Sequence, residues 1–98
     1  MVGTERLDSM AVVWIPSLMR NLTGGVEQVE VEGETLRQVI QALDTLHPGI
    51  KARVMDDEET RIRPGLAVAV DGTVTEEGLR TVVRDAQEIH FVTAISGG

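Results

Sequence analysis

Apolar and polar positions divide this chain into short stretches of two different periods. Residues 11–15 (AVVWI) are apolar throughout and rich in β-branched side chains. That run predicts a buried strand, closed by Pro16, whose nitrogen cannot donate to a ladder. Residues 18–22 can form one helical turn, and Thr23-Gly24-Gly25 is a turn signal. From Val26 to Glu32 the pattern alternates in its second half, with Val29 and Val31 set against Gln28, Glu30 and Glu32. This is the signature of a half-buried strand. The period then changes. Leu36, Val39, Ile40, Leu43 and Leu46 form one helical stripe, and Pro48-Gly49 ends it. Thr35 stands at the N-cap with Gln38 three residues on, so a capping box can close the first turn. Residues 50–55 can add a further helical turn. Residues 66–70 (LAVAV) form a second fully apolar run and predict an interior strand, followed by the turn signal Asp71-Gly72-Thr73. Residues 75–81 are irregular and polar. A last strand over 88–93 places Ile89 and Phe91 on one face and His90 outward. The order strand, strand, helix, strand, strand predicts an α+β roll with one main crossing helix on a mixed sheet of four to five strands.

Length and composition narrow what this roll can do. With 98 residues, the chain makes one small domain with one modest core. The expected division is a lead-in over 1–10, a folded domain over 11–93 and an exposed tail over 94–98. There is no cysteine, which removes disulfides, a thiolate nucleophile and thiolate metal ligands. Any sulfur the protein handles must be attached from outside. The net charge of −7 opposes binding to nucleic acid and to anionic membranes, and favours a partner with a basic patch. No run approaches the ~20 apolar residues that span a bilayer, and no targeting segment is visible. The cytoplasm is the expected location.

Few residues carry candidate chemistry of their own. His47 and His90 are the only histidines and are far apart in the sequence, a poor basis for a metal site. Asp56-Asp57-Glu58-Glu59 lacks the spacing and turn glycine of a calcium loop and reads as a solvated loop. Arg61 and Arg63 read as surface charges. Trp14 falls in an apolar run and reads as core. No glycine-rich phosphate loop with a lysine is present, so the chain is not expected to bind ATP or any other cofactor. No catalytic set has supporting context, and the chain is not expected to be an enzyme. The chemistry concentrates at Ile95-Ser96-Gly97-Gly98, where a bare diglycine presents a carboxylate.

Several segments together give this sequence a family likeness. They are Ile15-Pro16-Ser17-Leu18-Met19-Arg20 with Leu22-Thr23-Gly24-Gly25, then Gly33-Glu34-Thr35-Leu36 opening the helix and Leu46-His47-Pro48-Gly49-Ile50 closing it. Val68-Ala69-Val70-Asp71-Gly72 and the Ala94-to-Gly98 tail complete the set. With these the chain resembles the β-grasp, ubiquitin-like sulfur carriers, the family of the thiamine sulfur carrier and the molybdopterin synthase small subunit. The opening segment and the Pro-Gly-Ile helix exit look most like the branch that feeds cysteine synthesis in actinobacteria. Asp71 where asparagine is frequent, and Asp85-Ala86-Gln87 before the last strand, depart from the family pattern and bear on the branch alone. The resemblance implies that an adenylyltransferase like those that activate ubiquitin spends ATP on the Gly98 carboxylate. A sulfurtransferase or persulfide donor then makes a thiocarboxylate, and a downstream synthase accepts the sulfur. It further implies that Gly97, Ser96 and Ile95 thread the partner's channel. Two other readings stay open: a modifier joined to lysines through Gly98, and a plain interaction module with an incidental diglycine.

Overall fold

The computed structural model describes residues 10–93. Five strands form a single mixed sheet in the order β2-β1-β5-β3-β4. They are β1 (Met10–Trp14), β2 (Gln28–Glu32), β3 (Leu66–Val70), β4 (Thr73–Val74) and β5 (Glu88–Thr93), with helices α1 (Leu36–Leu46) and α2 (Ile50–Val54). β1 begins one residue inside the expected lead-in. β1 and β2 are antiparallel, as are β3 and β5, while β1 runs parallel to β5. This is the β-grasp roll: an opening hairpin, a helix across one sheet face, and a last strand inserted at the centre.

Local chemistry explains the joints. The 3-10 helix Ser17–Thr23 occupies the hairpin connection. The Thr23 hydroxyl lies 2.8 Å from the Val26 carbonyl and 3.1 Å from that of Arg20, which fixes the return to β2. At the start of α1, Thr35 Oγ1 accepts from the Gln38 amide, and the Gln38 side chain accepts from the Glu34 amide at 2.8 Å. The reciprocal cap therefore forms, displaced by one residue on its return arm. Gly33 makes the joint possible: a Cβ there would sit 2.7 Å from the Val39 nitrogen and 2.8 Å from its Cγ2. Past α1, Gly49 adopts φ 109°. Asp44 Oδ1 accepts from both the Gly49 and Lys51 amides at 3.0 Å, tying α1 to α2.

The core lies between α1 and one face of the sheet. Leu36, Val39, Ile40 and Leu43 are all fully buried, against Ala11, Val13, Val29, Val31, Val68, Ile89 and Phe91. Two expectations fail here. Leu46 belongs to the helical stripe by period, yet it is 58% exposed. The last turn of α1 carries it beyond the packed region, and periodicity does not report where the opposing surface ends. Trp14 was expected in the core, but burial alternates along β1 and Trp14 falls on the half-buried side with Val12. The two-residue strand β4 went unpredicted because it is too short to show a period.

Candidate functional site

β5 positions the site. It lies at the sheet centre, held by β1 on one side and β3 on the other, and its last residue, Thr93, pairs with Leu66. The chain enters residues 94–98 directly from this strand. Ile95, Ser96, Gly97 and Gly98, the residues of the expected reactive tail, lie outside the described residues. What the structure does place is the strand that precedes them and the surface beside it.

That surface is the sheet face away from α1. Alternation puts Val12 and Trp14 of β1, His90 and Val92 of β5, Ala67 and Ala69 of β3 and Val74 of β4 on it. Trp14 and His90 are register partners across the parallel pair, and their rings stack with centroids 5.5 Å apart and planes 9° from parallel. Such stacks add roughly 1 kcal/mol beyond the area they bury. The Trp14 Nε1 atom is buried and finds no acceptor among the described residues. Val92 and Val74 remain 39% and 54% exposed. Because β1 and β5 are parallel, the residues after Trp14 emerge at the same end of the sheet as Thr93. There the 3-10 helix presents Leu18, which is 84% exposed. β5 thus ends beside an open face of small and apolar side chains. The sequence did not signal this gathering, since it depends on a parallel pairing between segments far apart along the chain. The outward direction of His90 was correctly expected.

Of the charged residues weighed in the sequence, Arg61 and Arg63 pair with Asp56 and Asp57 of the same loop. Arg63 donates to Asp57 Oδ1 at 2.9 Å and to the Ala52 carbonyl at 3.0 Å, and Arg61 lies 3.5 Å from Asp56. Asp56 also accepts from the Thr60 amide and hydroxyl. The Thr60 amide, then the hydroxyl, the Arg61 amide and the Arg61 charge hold its carboxyl below the ordinary aspartate value, while partial desolvation opposes them. The acidic run thus closes a turn. Among the described residues no group of three or more acidic or histidine side chains could hold a metal ion, and no helix is long and apolar enough to cross a membrane.

The fold and tail exit can be set beside known proteins. A family model described as the ThiS family matches residues 13–98. The sulfur carrier protein CysO of Mycobacterium tuberculosis is 34% identical over 93 residues, covering 88% of this chain and 96% of the relative. A chain of the Amycolatopsis orientalis BexX/CysO complex superposes with a TM-score of 0.80 at 30% identity, covering 90% of this chain and 99% of that one. The crystal structure of Mycobacterium tuberculosis CysO gives 0.81 at 28% identity, covering 87% of this chain and 99% of that chain.

Proposed function

Since the chain belongs to the ThiS family and is a sulfur carrier, we propose that its sulfur travels as a thiocarboxylate on Gly98. A carboxylate is a poor electrophile, so an activating partner first joins it to AMP, using ATP and releasing pyrophosphate. Hydrosulfide attack at the Gly98 carbonyl carbon then expels AMP and leaves the thiocarboxylate. A persulfide donor instead gives an acyl disulfide, which a thiol cleaves to the same product. The chain supplies the reacting carboxylate, and the partner binds ATP. Gly97 and Gly98 have no Cβ and accept backbone dihedrals barred to other residues, which suits passage through a narrow channel. Ser96 and Ile95 line its approach.

The observation that carries this reading is the family match that runs through residue 98, so that Gly97 and Gly98 fall within it. The open face supports it, because a partner that grips the tail meets Trp14, His90, Val92 and Leu18 beside the exit. We assign this face to the activating enzyme and, in turn, to the sulfur-accepting synthase. A relative in complex with BexX fits a carrier that works through docked partners. The likeness to CysO favours cysteine as the product, with the cytoplasm as the location.

The deciding experiment is intact-protein mass spectrometry of the chain from its native host, followed by sequencing of its C-terminal peptide. A mass gain equal to replacing one oxygen by sulfur, localised to Gly98, is expected. A terminus found linked to lysines would make the protein a modifier, and a terminus found only as the free carboxylate would remove the reading.

A further inference from the structure

The sheet has two edges, and they differ. β4 is two residues long, whereas β2 runs for five. On β2 the hydrogen-bond phase can be read from its neighbours. The Ile15 amide donates to the Glu27 carbonyl at 2.8 Å, while the Val12 amide on the same strand donates the other way, to Gln87 of the β5 approach. Alternation then turns the backbone groups of Val29 and Val31 toward β1, and those of Gln28, Glu30 and Glu32 outward. No helix, loop or side chain among the described residues hydrogen-bonds to these three outward positions. An unpaired row of this kind is a template for another strand.

Beside it runs an open groove of about 450 Å³ between β2 and the end of α1. Val31, Ala42, Leu46 and Met10 make its apolar lining, and Glu30 and Glu32 its acidic rim. Here the exposed Leu46 finds its place: it continues the core stripe of α1 past the last strand of the sheet. A strand added to β2 would alternate its side chains between the two faces. One set would meet Leu46 and Ala42 on the helix side, and the other would meet Gln28, Glu30 and Glu32 on the open side.

From this geometry we infer that the β2–α1 groove takes an extended segment of another protein, added as an edge strand, in which apolar residues alternate with lysine or arginine. The charges select this occupant. A second copy pairing through β2 in antiparallel fashion would set glutamates of one strand against those of the other, which is unfavourable. Residues 1–9 carry Glu5 and Asp8 against Arg6 alone, so they offer the acidic rim no basic excess. They would also have to cross the end of β2, because β1 lies inside the sheet. The groove is two strands away from β5, about 10 Å, so a segment held there leaves the tail exit free. The inference does not depend on the chemistry assigned to Gly98.

The test uses the full chain and a synthetic acetylated, amidated octapeptide alternating lysine with valine or isoleucine, followed by amide NMR at low salt. The amides of Gln28, Glu30 and Glu32 should shift and gain protection from hydrogen exchange. Leu46→Asp lies on the surface and should keep the fold by circular dichroism while weakening the peptide roughly tenfold. Reversal of the rim by Glu30→Lys with Glu32→Lys should weaken it by a similar factor and admit the same peptide with glutamate in place of lysine. Any of several results overturns the inference: no shift at millimolar peptide, shifts centred on Trp14 and His90 or on β4, or equal binding of the glutamate peptide by the unaltered chain. Protection of the three amides without peptide would also overturn it, by assigning the edge to residues 1–9 if their deletion abolishes it, or to a second copy if dilution does.

Discussion

Neighbouring residues of β1 sit in different environments. Ala11 and Val13 are fully buried beneath α1, while Val12 and Trp14 look out on the other side of the same strand and are only partly covered. The helix side is complete over the core, where the apolar side chains pack on one another, and opens only at the β2 edge beside Leu46. The open side is not complete in this sense. Its tryptophan nitrogen lacks an acceptor among the described residues, Val74 and Val92 on it stay exposed, and the strand at its centre is the one that precedes residues 94–98. Selection for stability explains the first face. The second makes physical sense as a surface that another molecule finishes, since apolar area left exposed beside a functional group is what a docking partner can bury.

If the two sides divide the labour in this way, removing Gly98 should produce the largest effect and leave the fold untouched. The expected outcome is complete loss of pyrophosphate exchange with the activating enzyme, with Tm unchanged. A truncated chain that still exchanges, or one that no longer folds, would break the separation of tail from domain.

Leu43→Ala tests the opposite side. Leu43 is fully buried on α1, and its truncation should cost about 3 kcal/mol, a fall in Tm of roughly 15 °C for a domain of this size. Activation of the fraction that remains folded should be near normal. Trp14→Ala should invert that pattern. Losing the stack on His90 costs about 1 kcal/mol of stability beyond the area the indole buries, but affinity for the activating partner should also fall roughly tenfold, as for a central aromatic anchor. Titration of the partner, alongside thermal melts of both variants, checks the pair. Equal losses of affinity in the two variants would erase the distinction between the faces.

What the sequence disclosed follows the range over which each signal acts. The α1 cap at Thr35 and Gln38 and the buried stripe from Leu36 to Leu43 are local, within one or two helical turns, and were legible. So was the alternation of Val29 and Val31. Leu46 was misread because a helical period continues whether or not a sheet lies opposite. Trp14 was misread because an apolar run does not say which face of a strand will be covered. The Trp14–His90 stack requires the first and last strands to lie side by side in parallel, which no local pattern encodes. The proposed tail is the reverse case: Gly97 and Gly98 stand out in the sequence by their absent Cβ, while residues 94–98 lie outside the described residues as structure.

The smallest predicted effect belongs to the acidic loop, which lies on neither face and should matter to neither function. Asp56 accepts from the Thr60 amide at 2.8 Å, the Thr60 hydroxyl at 2.9 Å and the Arg61 amide at 3.4 Å. Each of these favours the ionised carboxylate, so its pKa in the folded chain lies below the ordinary value of 3.8. A depressed carboxylate pKa contributes stability that is fully present above the unfolded-state value and disappears as pH falls through the folded-state value. The loop should therefore hold its turn at neutral pH and loosen only in acid. The Thr60 amide resonance, followed against pH, should move with a midpoint below 3.8. Asp56→Asn should remove that titration while leaving tail activation and the Trp14–His90 face unaltered. A midpoint at or above the ordinary value would mean that the carboxylate does not close the turn. The four acids would then be an open charged surface, and the loop would join the open face among the regions that need a partner.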